Sequence, residues 1–232
     1  MSNLEIPFVN LAREAELFMP ELLEKTKSVL SSGNYINGDN VISFESKIAE
    51  YLGVKHVVSV GNGSDALTFI LRSLELNSED EVICPANSFI ASAWSIVASG
   101  AKPVFCDVTD DFLLDPVDFE RKITRNTKVV LPVHLTGRVF QISLIKKICD
   151  NHNIQIVEDA AQSFGAIDDT DTKTGALAKA AAFSLHPLKN LAIYGDGGFI
   201  STNDQEIAKK CELYRNHGLI NRDEAAIWGY NS

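Results

Sequence analysis

The chain has 232 residues, 45% of them hydrophobic, enough to bury a substantial core, which excludes a disordered or fibrous polypeptide. Its 21 basic and 31 acidic residues give a formal charge of −10, and no cluster of Lys and Arg is present to gather phosphates, so no nucleic-acid partner is expected. No stretch approaches the roughly 18 uninterrupted apolar residues of a bilayer span, and Met1-Ser2-Asn3-Leu4-Glu5 lacks the pattern of a secretory leader, so a cytoplasmic chain without a membrane partner is expected.

Apolar residues recur at helical spacing from about Glu14 to Leu30 and from Val41 to Tyr51, with Gly53 as the expected stop. Short β-branched runs then begin: His56–Val60, Glu81–Cys84, Pro103–Cys106, Val129–Val133 and Ile154–Val157. Helical stretches separate and flank them at about 65–75, 88–99, 115–123 and 140–152. Such alternation, with nearly continuous apolar strands, predicts an α/β fold whose mainly parallel sheet is covered by helices on both faces. No internal repeat or linker-like segment interrupts it, so residues 1–232 are expected to form one continuous domain. Cys84, Cys106, Cys149 and Cys211 form no C-x-x-C pair, which argues for buried free thiols over a disulfide framework or a zinc site.

In sheets of this kind ligands sit beyond the carboxyl ends of the strands, so the residues after each strand are where chemistry is sought. After the first comes Gly61-Asn62-Gly63-Ser64-Asp65-Ala66-Leu67, either a simple turn or a phosphate cradle whose glycines admit a close ligand and whose helix start aims N–H groups at an anion. It matches neither the P-loop nor the dinucleotide fingerprint. Phe89, in Pro85-Ala86-Asn87-Ser88-Phe89, is either core or an aromatic face at the mouth of the sheet. Glu158 and Asp159 end an apolar run, and strand alternation lets one of the two point inward, where it needs a donor or cation; otherwise it caps a helix. Lys189 stands apart from the solvated lysines. It comes after the apolar strand that ends Ala182-Phe183-Ser184, lies near His186, and precedes the turn Gly195-Asp196-Gly197-Gly198.

Taken in order, Gly63-Ser64-Asp65-Ala66-Leu67, Glu158-Asp159-Ala160-Ala161-Gln162, Phe183-Ser184-Leu185-His186-Pro187-Leu188-Lys189 and Gly195-Asp196-Gly197-Gly198 resemble the DegT/DnrJ/EryC1/StrS family. The likeness runs from Pro7-Phe8-Val9-Asn10-Leu11 to Gly229-Tyr230-Asn231-Ser232. It implies the mainly parallel, mixed sheet of a fold type I enzyme dependent on pyridoxal 5′-phosphate (PLP), acting in amino-sugar biosynthesis for a polysaccharide or other glycoconjugate. An amino group would move, with L-glutamate as donor, to a nucleotide-linked keto-sugar.

By that resemblance Lys189 holds the cofactor as an imine and, once freed, carries the proton; Asp159 faces the pyridinium nitrogen; Phe89 stacks on the ring. Gln162 bonds the 3′-oxygen, while Ser184 with Gly63 and the backbone of Ser64 and Asp65 hold the phosphate. His186 lines the site or supports it, and Asn231 reaches the phosphate of a neighbouring subunit, implying a homodimer with shared sites. The family usually has Glu at Asp196, a change that leaves the turn intact. Family members also continue past Tyr230-Asn231 into a smaller C-terminal domain, so residues 1–232 are expected to be a PLP-binding large domain truncated before it. Two other readings stand beside transamination. A sugar dehydratase of the same family has histidine in place of the lysine, and Lys189 argues against it; a non-catalytic fragment serving assembly or regulation is the third. Arg138, after His134-Leu135-Thr136-Gly137, is either a substrate contact or a surface residue.

Overall fold

The computed structural model describes residues 6–232; Met1-Ser2-Asn3-Leu4-Glu5, on which the leader expectation rests, lies outside the described residues. Two compact units divide between Phe44 and Glu45. In the first, the Asn10 side chain accepts the Arg13 N–H at 3.0 Å and so starts helix α1 (Leu11–Ser32), which Gly33 ends in a left-handed conformation at φ +67°. Helix α2 (Asp39–Leu52) begins in that unit and ends in the second, where Gly53, at φ +73°, stops it as its position in the sequence implied.

The second unit alternates β1 (His56–Val60), α3 (Gly63–Ser73), β2 (Glu81–Pro85), α4 (Ile90–Ser99), β3 (Lys102–Cys106), α5 (Pro116–Lys122), β4 (Thr127–Val130), α6 (Ile142–His152) and β5 (Gln155–Asp159). Then come β6 (Ala180–Ser184), β7 (Gly198–Thr202), α7 (Gln205–Arg215) and a small hairpin of β8 (Leu219–Asn221) and β9 (Glu224–Ala225). Seven strands make one sheet in the order β1-β7-β6-β5-β4-β2-β3. Neighbours from β6 to β3 pair in parallel, as expected, whereas β7 is antiparallel to both β1 and β6. The glycine turn before Gly198 returns the chain directly beside β6 instead of sending it through a crossover helix.

Consecutive strand residues point to opposite faces, and both faces are apolar. Val82, Val129, Val157 and Ile200 pack with Leu67, Phe69 and Ile70 of α3 and Ile207 and Cys211 of α7. Ile83, Val130 and Ile156 pack with Phe119 of α5 and Ile145 and Cys149 of α6 on the other side. All four cysteines are buried and free, and burial pushes the thiols of Cys84, Cys106 and Cys149 up to about 12, so they stay protonated. No helix among the described residues is long and apolar enough to cross a membrane. Because β1 also runs parallel to β6, the carboxyl ends of β1, β2, β4, β5 and β6 share one edge of the sheet.

Candidate active site

A cleft of about 430 Å³ opens at that edge, and its walls include Gly63, Ser64, Phe89, Asp159, Gln162, Ser184, His186 and Lys189. Segments more than 120 residues apart in sequence therefore meet, each delivered by a strand end or the helix after it. Asn62 starts α3 by accepting the Asp65 N–H at 2.8 Å, which leaves the Gly63 and Ser64 N–H groups at the cleft without an acceptor among the described residues. Two glycines allow this loop to lie so close to the sheet. A Cβ on Gly63 would stand 2.8 Å from the Ser184 Cβ, and one on Gly198 would stand 2.6 Å from the backbone of Asn62.

Asp65 differs from its neighbours, because its N–H is committed to Asn62 and its carboxylate accepts Ser232 Oγ at 2.7 Å and Asn62 Nδ2 at 3.0 Å. It belongs to the frame beside the cleft rather than to its wall. Asn231 is exposed and likewise no part of this wall. Arg138 is exposed and donates to the Asp111 carbonyl at 3.2 Å, away from the cleft.

The two acids at the end of β5 part company. Asp159, 5% exposed, faces the cleft, where Oδ2 accepts Ser92 Oγ at 2.6 Å and Oδ1 accepts the Ala161 N–H at 3.2 Å. Burial raises its pKa; Ser92, Ala161, His134 and Lys189 act in the opposite sense. Glu158 points the other way, yet it too is fully buried, contrary to the expectation that alternation would leave one acid outside. The segment 175–178 closes over it, donating the N–H groups of Gly175, Leu177 and Ala178 at 2.9, 3.0 and 3.0 Å, and His134 Nε2 lies 2.9 Å away. A buried carboxylate so surrounded is satisfied without a ligand.

Gln162 is oriented by Thr136, whose N–H meets Gln162 Oε1 at 2.8 Å. A backbone N–H can only donate, so the amide oxygen is the end it holds and the –NH₂ is the end left for a ligand. His186 Nδ1 accepts the Leu188 N–H at 3.1 Å and its carbonyl accepts the Lys189 N–H at 2.8 Å, which together fold the turn that presents Lys189. The Lys189 ammonium makes no hydrogen bond or ion pair among the described residues. Phe89 stands at the start of α4, 72% exposed, an apolar ring turned to the cleft rather than packed in the core.

Sequence reasoning passed over Ser88 and Ser92, which also line the cleft. Their i, i+4 spacing across the start of α4 was the available signal, because residues so spaced share one side of a helix.

The DegT/DnrJ/EryC1/StrS aminotransferase family model matches residues 18–232. This chain belongs to that family. Among curated relatives, the dTDP-3-amino-3,6-dideoxy-alpha-D-galactopyranose transaminase of Aneurinibacillus thermoaerophilus is 41% identical over 228 residues, 98% of this chain and 62% of that protein. A "pleiotropic regulatory protein" of Geobacillus stearothermophilus is 40% identical over 230 residues, 99% of this chain and 62% of that one. Among solved structures, Streptomyces venezuelae DesV in complex with a ketimine intermediate superposes with a TM-score of 0.92 at 37% identity, covering 97% of this chain and 61% of DesV. NtdA from Bacillus subtilis with bound cofactor PMP gives 0.90 at 33%, covering 100% and 54%. The family member described here thus spans about three-fifths of the length of the curated relatives it matches, and its α/β fold is that of family aminotransferases.

Proposed function

We propose that this chain carries the PLP site of an aminotransferase that moves an amino group, with L-glutamate as donor, to a keto-sugar linked to a nucleotide. The observation that carries this reading is the meeting of Lys189 and Asp159 in one cleft. PLP, when bound, supplies an aldehyde that holds amino groups and a ring that draws electrons from the attached carbon. The residues fit such a group. Asp159 is a buried carboxylate raised in pKa by desolvation, and a cationic ring nitrogen is the partner that would offset that cost. The free Gly63 and Ser64 N–H groups at the start of an 11-residue helix, with the Ser184 hydroxyl beside them, suit a phosphate. Asp65 would serve by holding that loop rather than by donating its own N–H.

Lys189 supplies the amine that tethers the cofactor and, released from it, takes and returns a proton. Phe89 offers a face for a planar ring, and the Gln162 –NH₂ donates to an oxygen on that ring. His186 orders the turn that carries Lys189. The transaminase relative supports a nucleotide-linked sugar as the acceptor, and the four unpaired buried thiols suit a reducing, cytoplasmic setting. The regulatory name of the second relative supports the other reading, a member that binds without turning over.

Glutamate separates the two. The PLP-loaded chain should convert L-glutamate to 2-oxoglutarate in an amount matching its sites, and a keto-sugar nucleotide should then make the reaction run repeatedly. Bound PLP with glutamate left unchanged would instead establish a binding-only role.

The reading includes a homodimer with shared sites. Asn231 is exposed, outside its own chain's cleft, and apolar side chains near the start of α4, Ile90 and Trp94, are left in solvent. Light scattering should therefore give twice the chain mass, with Asn231→Ala weakening PLP binding. A monomer that binds PLP as tightly as any mixture of subunits would remove the shared site.

A further inference from the structure

We propose that Ser88 and Ser92 form a hydroxyl relay from the cleft to Asp159, and that this relay sets when the buried carboxyl group is ionised. Its consequence for a ring nitrogen rests on the PLP reading above; the relay itself does not. Ser92, 1% exposed, places Oγ 2.6 Å from Asp159 Oδ2, and Ser88, half-buried in the cleft wall, places Oγ 2.6 Å from Ser92 Oγ. The direction of the chain comes from proton counting. An ionised carboxylate can only accept, so Ser92 spends its one proton on Asp159, and Ser88 must spend its own on Ser92. Every O–H then points inward, which leaves the Ser88 oxygen with only lone pairs for the cleft.

When Asp159 is protonated the order reverses. A proton arriving at Ser88 pushes the Ser88 proton to Ser92 and the Ser92 proton to Asp159, after which Asp159 donates to Ser92, Ser92 to Ser88 and Ser88 to the cleft. One proton enters and one carboxylate is neutralised, so the balance closes without any side chain leaving its place. Beside the face that Asp159 turns to the cleft directly, its Oδ2 thus has a second route for protons, through two hydroxyls.

The other groups facing Asp159 do not replace Ser92. Ala161 occupies Oδ1; His134, after β4, and Lys189, after β6, act on the carboxyl by charge; Cys84 of β2 has its thiol pushed up to about 12, first by burial and then by Asp159 itself. Ser92 is the one hydrogen-bond donor to Oδ2 among the described residues, and it is foremost among the influences that favour the ionised form.

The test needs no cofactor. In the chain with ¹³C-labelled aspartate carboxyls, the Asp159 resonance is assigned by its loss in Asp159→Asn and tracked through a pH titration. Ser92→Ala should raise its midpoint by about one pH unit, the tenfold change in proton affinity expected for one hydrogen bond to a charged acceptor. Ser88→Ala should raise it less, and Ser92→Thr should restore the parent value. Should Ser92→Ala fail to fold, Ser88→Ala, at the cleft wall, carries the test alone. Midpoints unmoved in the alanine variants that fold overturn the relay. PLP added to the same samples keeps the two claims apart: PLP bound with unmoved midpoints rejects the relay only, and shifted midpoints without PLP binding reject the cofactor reading only. Where both hold, the acid limb of PLP binding moves to higher pH in Ser92→Ala together with the midpoint.

Discussion

Lys189→Ala is expected to lower amino transfer by about 10³-fold or more, since general base catalysis alone contributes roughly 10²–10⁴-fold and the tether is lost as well. The rest of the cleft should survive. His186 holds the turn through its carbonyl and Nδ1, which bond the backbone of residues 188 and 189 and not the lysine side chain. PLP should therefore still bind to Lys189→Ala, more weakly and without covalent attachment. The comparison is a glutamate-dependent rate beside a PLP titration of parent and variant. Turnover retained within a few-fold would move the reactive amine to another lysine.

Asp159→Asn is expected to cost roughly a hundredfold in rate, because a hydrogen bond to a charged partner contributes about 1.5–3 kcal/mol and each 1.4 kcal/mol is tenfold. Stability should move the other way. Burial holds the folded-state pKa of Asp159 above its unfolded value, so between those two values the folded chain binds more protons than the unfolded one. Ionisation of Asp159 thus opposes folding as pH rises through that window, and above it the penalty is present in full. Asparagine has no such penalty. In the absence of PLP, Asp159→Asn should therefore melt at or above the parent temperature at neutral pH, while its rate falls. A variant that is both unstable and slow would mark Asp159 as a structural residue; one that is stable and nearly as fast would place the acid elsewhere. This opposition between stability and function is what a buried, unpaired carboxylate at an active site produces.

Five strands and their helices were legible because four strands buried on both faces, and the partly exposed edge strand β3, read as apolar runs with glycine or polar residues between them. Of β6 only the end, Ala182-Phe183-Ser184 before His186 and Lys189, was legible. Ala180-Ala181-Ala182 has little strand propensity of its own, and its neighbours in the sheet fix its conformation. The antiparallel course of β7 was not legible, since it depends on how tightly the Gly195–Gly198 turn folds back and on the absence of Cβ atoms where Gly198 meets Asn62.

In the site, the legible residues were those with distinctive chemistry near strand ends: Lys189, Asp159 and Phe89 all line one cleft. Residues whose role lies in a tertiary partner did not. Serine at the start of a helix is ordinary, and nothing local tells that Ser92 meets a carboxyl 67 residues away. His134, for which the sequence suggested no role, is buried against Glu158 and stacked on Phe140 at 4.5 Å. Pattern shows which atoms can react. It shows less well which atoms hold them in place.

Covalent trapping tests most directly whether Lys189 is the amine that carries the cofactor. PLP is added to the chain, the product is reduced with borohydride, and the digest is mapped by mass spectrometry. One pyridoxyl group per chain on the peptide bearing Lys189, with loss of the visible absorption band, is the predicted result. A band that survives reduction, or a pyridoxyl group spread over exposed lysines and missing from Lys189, would contradict it.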